Sequence, residues 1–362
     1  MKENKIVYGL IGFGGMGKWH TEILENVPEI ELAGIYDIKE EKRKLAEEAG
    51  FHTYETEEAM LADESIDVIL VATPNDTHRP IALRAMEAGK NVIVEKPATL
   101  SLNFHMSLEG TDLEQLAGKT EKLLEGRPER ISTIGFYCNP IQYPEHRKTL
   151  EQVIRTAGRF GADHVSTFAG AFEDRPVEES FAEFGKVFRE LADLAKENGV
   201  KLGIENCLMD GTWEKATCNI GFHPRAWEAM FEEVKQDNFG LEWEPTHQMV
   251  QLIDPVSQLR KWCHKIVHVH GKDATIDWNA VRHGGISGAE TFVWHRMPGF
   301  GDTNWRDIIS ILRANGYEDD ICIEGYHDPV YSGEWEMTGQ LHALRYLKWC
   351  RGGDYEPVPW EV

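Results

Sequence analysis

Basic residues are scarce in this chain: 38 Lys and Arg stand against 61 Asp and Glu, a formal net charge of −23 over 362 residues. A surface of that sign repels phosphates, so neither nucleic acid nor an anionic membrane is expected as a partner. Long apolar runs are missing too. None reaches the roughly 20 residues needed to span a bilayer, and the opening MKENKIVYGL has no apolar core with a cleavage site behind it. The six cysteines (138, 207, 218, 263, 322 and 350) form no CxxC pair and no regular spacing. That pattern argues for reduced thiols in a cytoplasmic protein rather than a disulfide framework. No short-period repeat or low-complexity tract interrupts the chain. What is present is an ordinary globular composition, 41% hydrophobic and 27% charged, long enough for two domains.

The first hundred residues alternate β-prone and helical stretches. Ile6 to Ile11 is apolar and runs into Gly12-Phe13-Gly14-Gly15-Met16-Gly17, followed by a helical stretch from Lys18. Alone, G-x-G-x-x-G is a weak signal. Here a strand precedes it, a helix follows, and the next strand (Glu31 to Tyr36) ends in Asp37, about twenty residues past the last glycine, as dinucleotide binding requires. Gly12, Gly14 and Gly17 would let a pyrophosphate approach the helix N-terminus, and Asp37 would take the ribose hydroxyls and disfavour a 2′-phosphate. The expected cofactor is NAD.

At VATPNDTH (71–78) and VEKP (94–97) the chain resembles the N-terminal domain of the glucose-fructose oxidoreductase / inositol dehydrogenase (Gfo/Idh/MocA) family over roughly residues 5–100. The resemblance implies that Thr73, Pro74, Asn75, His78, Glu95 and Lys96 lie around the cofactor, with Lys96 beside nicotinamide and substrate as a catalytic residue. It stops there. The Asp-x-x-x-His type of catalytic pair expected in a following substrate domain has no counterpart in this sequence, and hydride transfer from an alcohol needs such a proton acceptor. An NAD-dependent sugar or polyol oxidoreductase is therefore the alternative activity. A non-catalytic fusion of two truncated domains is the third reading.

Beyond a mixed polar seam near residues 98–110 the β/α rhythm resumes with longer units, predicting a (β/α) barrel. The stretch from Phe239 to Asp273 organises it. Two β-rich runs, FGLEWE and KIVHVH, end in Glu242, Glu244 and His247 and in His268 and His270, with helix-forming sequence from Pro255 to Trp262 between them. Glu205, ending KLGIE, and Glu324, ending ICIE, have the same placement at strand carboxyl ends, where chemistry collects in parallel sheets. Carboxylates and imidazoles in that arrangement point to a divalent-metal site, with Mn or Mg preferred over structural zinc.

Several segments in order (GFYCNPIQYP, GIENC, GLEWEPTHQ, HVHGKDA, HRMPGFGDTNW and IEGYHDP) resemble the xylose isomerase-like sugar isomerase and epimerase barrels over about residues 111–350. The resemblance implies Glu205, Glu244, His270 and Glu324 as metal ligands and His247 as a substrate contact. Lys272 near the same mouth is a candidate for holding an oxygen or phosphate, and Arg296 for binding a phosphate or forming a loop salt bridge. Glu242 shares a face with Glu244 and ranks second as a ligand. Trp243, Trp294 and Trp305 are pocket-wall or core residues. His268, His327 and Cys207 are expected to support or pack against the site.

Two departures stand out. Relatives more often carry Asp where this chain has Glu244, and the extra methylene displaces the carboxylate by about 1.5 Å. Only about six barrel strands can be counted, where closure needs eight. Residues 101–108 could add one, and the last Rossmann units (67–95) could complete the sheet. An open edge would invite a homo-oligomer.

The expectation is thus an α/β chain with a Rossmann domain over 1–100 and an incomplete TIM barrel over 101–362. Its function would be metal-dependent isomerisation or epimerisation of a sugar or sugar phosphate through an enediolate. Glu205 and Glu324 would be the proton-transferring pair.

Overall fold

In a computed structural model the chain is described over residues 5–24, 27–73, 75–94, 99–125, 129–288 and 290–352. It divides into two compact units, Met1–Thr99 with Lys119–Arg130, and Leu100–Gly118 with Ile131–Val362.

The first unit holds a four-stranded sheet of β1 (Ile6–Ile11), β2 (Ile30–Tyr36), β3 (Val68–Val71) and β4 (Asn91–Val94), in the spatial order β2-β1-β3-β4. Every pairing is parallel. A further extended residue, Thr53, bridges Ile35 outside β2. Counting it, the order is that of a dinucleotide-binding half with the third strand reduced to one bridge. The apolar runs of β1 and β3 are buried on both faces by helices, as central parallel strands are. Leu10, Ile35, Ile69, Val71 and Ala85 have no exposed surface.

The second unit is built on a seven-stranded sheet. Its strands are β5 (Thr99–His105), β6 (Arg130–Tyr137), β7 (His164–Thr167), β8 (Lys201–Glu205), β9 (Phe239–Trp243), β10 (Ile266–Gly271) and, after a hairpin of β11 (Asp273–Ile276) and β12 (Val293–Arg296), β13 (Ile321–Ile323). The order runs β13-β10-β9-β8-β7-β6-β5. The pairings from β6 through β13 are parallel, and helices such as Phe181–Glu197, Pro224–Glu233, Pro255–Trp262 and Trp305–Ala314 follow the strands. The sheet curls into a nearly closed barrel. Ser132 Oγ of β6 comes within 3.8 Å of Cys322 Sγ of the edge strand β13, across the lumen. Between helices and sheet an aromatic layer fills the space, with Phe184 stacked on Phe188 at 4.5 Å and Phe231 against Phe239 at 5.7 Å. Each such buried ring contributes on the order of 2 kcal/mol from area alone.

Two expectations are corrected here. A seventh barrel strand exists, from Thr99 to His105, overlapping residues 101–108, the segment expected to supply one. Among the described residues of 67–95, none completes the barrel: β3 and β4 pair in the four-stranded sheet with β1 and β2, and no pairing joins either to the seven-stranded sheet. Among the described residues no strand joins β13 to β5.

Candidate metal centre

The barrel lumen is polar in two layers. In the lower one Glu242 is wholly buried and accepts hydrogen bonds from Tyr137 Oη (2.9 Å) and Ser166 Oγ (2.6 Å), while His268 lies 3.3 Å from Thr133 Oγ1. Burial holds His268 down to about 3, so this imidazole is neutral. The upper layer comes from four adjacent strand ends. β8 delivers Glu205, the turn after β9 Glu244, β10 His270, and the turn after β13 Glu324. One donor atom of each lies within 4.8 Å of the other three. His270 Nδ1 sits 3.3 Å from Glu205 Oε1 and 3.0 Å from Glu324 Oε2, while its Nε2 faces Glu242 Oε1 at 3.1 Å.

Strand-end backbone is fixed by buried asparagines that the sequence reading passed over. Asn206 Nδ2 donates to Glu244 O (2.9 Å) and Asn206 Oδ1 accepts from Glu244 N (2.8 Å). Asn219 Nδ2 donates to Glu205 O and Cys207 O. Main-chain polar groups at a strand end have no ladder partner, and these amides satisfy them. Asn206 was visible in the motif GIENC as an unassigned polar residue, whereas Asn219 belongs to none of the quoted motifs.

The electrostatics are lopsided. Burial pushes the Glu205 carboxyl up to about 7, helped by Glu324 and Glu242 and opposed by His270. Burial disfavours the His270 imidazolium, yet Glu242, Glu205 and Glu324 outweigh it and raise His270 well above its ordinary value. Glu324 is lowered despite burial, chiefly by Lys272, whose Nζ is 2.6 Å from Glu324 Oε1 and 3.8 Å from Glu244 Oε2. Both oxygens of Glu244, Glu324 Oε2 and His270 Nδ1 are buried without an aligned hydrogen bond among the described residues, although they crowd within ion-pair distance. Donors that are close yet misaligned with one another share a common focus instead. Three carboxylates and one imidazole there fit an oxygen-preferring divalent cation. The carboxylate surplus also needs positive charge that His270 and Lys272 only partly supply.

His247 joins the cluster, with Nε2 2.9 Å from Glu244 Oε1. Lys272 does so through Glu324. Arg296 does not: Asp328, which is buried, takes its Nε at 3.2 Å, the loop salt bridge rather than an open anion site. Trp243 and Trp305 are core residues with no exposed surface, and Trp294 on β12 is partly exposed. Cys207 is buried beside the cluster. His295, unremarked in the sequence, stands edge-on to His247 at 5.5 Å and to His327 at 5.5 Å.

In the Rossmann unit, Gly12 adopts φ +99° and a Cβ there would lie 2.6 Å from Ala72 O. A Cβ on Gly17 would sit 2.0 Å from Gly12 O, whereas Gly14 faces open space. The first and last glycines therefore close the turn, and the middle one leaves its outer face clear. Asp37 Oδ2 accepts from Phe13 N at 2.8 Å and Oδ1 from Lys39 N at 2.9 Å, which ties the end of β2 to the glycine turn. Thr73 Oγ1 accepts from Thr77 Oγ1. Asn75 and His78 fall on the helix Asn75–Glu87, with their side chains outside the description, and Pro74, Glu95 and Lys96 lie outside the described residues.

A parallel barrel carrying four metal-type donors at successive strand ends defines the class. The chain belongs to the xylose isomerase-like TIM barrel family, whose sequence model matches residues 85–350. Residues 6–124 match the oxidoreductase family with the NAD-binding Rossmann fold. Scyllo-inositol 2-dehydrogenase (NAD(+)) of Bacillus subtilis (strain 168) is 33% identical over 103 residues, 28% of this chain and 30% of that one. Inosose dehydratase of Clostridium tetani (strain Massachusetts / E88) is 27% identical over 191 residues, 49% of this chain and 57% of its own. The chain spans between 26% and 67% of the length of the oxidoreductase- and dehydrogenase-type relatives it matches among the first found. A xylose isomerase domain protein from Planctomyces limnophilus superposes with a TM-score of 0.55 at 16% identity, over 69% of this chain and 88% of that one.

Proposed function

We propose that the barrel is a metal-dependent isomerase or epimerase that moves a proton beside the carbonyl of a sugar or keto-polyol through an enediolate, and that the appended Rossmann module holds NAD. The observation that carries this reading is the convergence of Glu205, Glu244, His270 and Glu324 within 4.8 Å at the strand ends. A divalent cation held by those four would polarise substrate oxygens and offset the charge of the enediolate, worth several kcal/mol.

The protein's own groups then divide the work. Glu244 and His270, the two most buried of the four, anchor the site. Glu205 enters from β8 and Glu324 from beyond β13, with β9 and β10 between them, so they reach the substrate from different sides. A carboxyl held near neutrality, as Glu205 is, can take a proton from carbon and give it back. Glu324 supplies the second proton carrier, steadied by Lys272. His247, fixed through Nε2 by Glu244, has Nδ1 left for a substrate hydroxyl.

The likeness to inosose dehydratase favours one second reading on the same machinery. Glu205 would take the carbon-bound proton, and the enediolate would then expel a β-hydroxide that leaves as water with the same proton returned by the Glu205 carboxylic acid. Both readings expect exchange of the carbon-bound proton with solvent that needs a divalent cation and no added NAD. The test is metal removal by chelation, re-addition of Mn or Mg, and nuclear magnetic resonance of ketoses and inososes in D2O, with product analysis separating an epimer from a dehydrated ketone. Glu205→Gln should lower the exchange at least about 100-fold. No exchange, together with reduction of NAD by polyols, would move the assignment to hydride transfer.

A further inference from the structure

The open side of the metal centre is at Glu324, whose side chain is 22% exposed while those of Glu205, Glu244 and His270 are 7% exposed or less. The cations near that side are already engaged. Lys272 Nζ lies 2.6 Å from Glu324 Oε1 and 3.8 Å from Glu244 Oε2. Arg296 Nε lies 3.2 Å from Asp328 Oδ2, and its guanidinium packs over the Phe300 ring at 5.8 Å. Asp328 cannot swing away to release it: its Oδ2 also accepts from Met297 N, and its Oδ1 from Val330 N and Tyr331 N, each at 2.8 Å.

Among the described residues in the loops that follow the barrel strands, three other cations occur. Arg175 pairs with Glu179 and Lys215 with Asp174. Arg282 sits on the exposed helix Trp278–Gly284, past the tip of the β11–β12 hairpin, whose base at Asp273 and Arg296 is roughly 10 Å away along the strands. Beyond the cation that Glu205, Glu244, His270 and Glu324 would hold, these loops leave no uncommitted positive group near the open side to receive a phosphate monoester.

The rim is built from imidazoles. His295 stands edge-to-face with His247 (5.5 Å, 83°) and with His327 (5.5 Å, 90°), and its Nδ1 has no hydrogen-bond partner among the described residues. His327 is held at φ +74°, in the left-handed region, by the turn that Asp328 pins. Burial and the Lys272 charge lower both His295, to about 4, and His327. A neutral imidazole presents one donor and one acceptor, which matches a hydroxyl and brings no positive charge to a dianion.

We infer that this site takes an uncharged polyhydroxy carbonyl compound, a free ketose or a cyclic keto-polyol, in preference to its phosphate monoester, with His295 binding one substrate hydroxyl. The inference rests on the proton-transfer reading of the site given above. It is tested on the full-length, Mn-loaded protein by following deuterium incorporation into free hexuloses and inososes and into hexulose phosphates, D-fructose and its 6-phosphate among them. The expected result is exchange with at least one uncharged compound and at least 100-fold lower kcat/KM for its phosphate. Equal or faster exchange of a phosphate overturns the inference and leaves proton transfer standing. Exchange with no compound overturns the proton-transfer reading and the inference with it. His295→Phe, with melting temperature and Mn affinity as controls for folding and site assembly, should raise KM for the uncharged substrate about tenfold and alter kcat less. An unchanged KM removes His295 from the proposal. His295→Arg, which adds a cation at the rim, should narrow the discrimination against the phosphate.

Discussion

At the scale of single residues the most informative side chain is Glu242, which touches no open surface. Tyr137 and Ser166 donate to it and His270 Nε2 faces it, so three neighbours spend their protons on one buried carboxylate. The consequence is directional. With Nε2 turned inward, Nδ1 of His270 is left toward Glu205 and Glu324, which is how an outer carboxylate fixes a ligating histidine. Glu242→Gln replaces one acceptor oxygen by an NH2 group, which meets either the Tyr137 donor at Oε2 or the Ser166 donor and His270 Nε2 at Oε1, and removes the charge that anchors the imidazole. Chelator-competition titration should show Mn or Mg affinity weakened about 10- to 100-fold; an unchanged affinity would make Glu242 a packing residue only. That Glu242 and Glu244 share a face follows from strand alternation. Which of them faces the His270 side that meets Glu205 was not in the spacing, because the choice depends on register with β10 and on the donors from β6 and β7. Glu244, despite its extra methylene, still joins the donor cluster, with its backbone clamped by Asn206.

At the scale of elements the glycine turn separates two roles that one motif conceals. Gly17→Ala would drive a Cβ to 2.0 Å from Gly12 O and should disrupt the turn, abolishing NAD binding and lowering the thermal stability of the Rossmann unit. Gly14→Ala meets nothing within 4 Å in the folded chain. It should leave the melting curve in place and still weaken NAD by about tenfold or more, as read by calorimetric titration, because the added methyl occupies the approach of the pyrophosphate. Equal behaviour of the two variants would contradict the assignment. The helix Pro255–Trp262 coincides with its sequence expectation, since Asp254 caps it and the apolar spacing is regular. The β11–β12 hairpin was not anticipated. Its strands are four residues each and pair only with one another, so no periodicity announces them, and His295 was missed with them.

At the scale of the whole molecule the end of the barrel opposite the metal centre is tied by charge. His164, at the start of β7, donates or accepts at 2.7 Å with Asp163 and lies 3.5 Å from Asp319, which precedes β13 and also holds Lys201 of β8 at 2.7 Å. Burial alone would lower His164, but the hydrogen bonds and charges of Asp163 and Asp319 raise it to about 9. The folded chain therefore keeps a proton that the unfolded chain releases near pH 6.5. Its stabilisation is fully present below about pH 6.5 and declines as pH rises toward 9. Urea unfolding between pH 6 and 9 should show a loss of about 1–3 kcal/mol that His164→Asn removes. A variant with the same pH slope as the parent would assign the slope elsewhere. This tie matters because β13 is a three-residue edge strand that carries Glu324 just beyond its end.

The amino-acid sequence by itself determined both folds and the strand-end placement of Glu205, Glu244, His270 and Glu324, because alternation, capping and strand-end placement are local properties of the chain. Only the tertiary structure decided which nitrogen of His270 faces Glu205 and Glu324, that Arg296 is spent on Asp328, that His295 reaches the rim, and that among the described residues seven strands form the barrel sheet while β3 and β4 stay in their own. Each of those depends on contacts between residues tens of positions apart, made by sheet curvature and register, for which a linear pattern carries no signal.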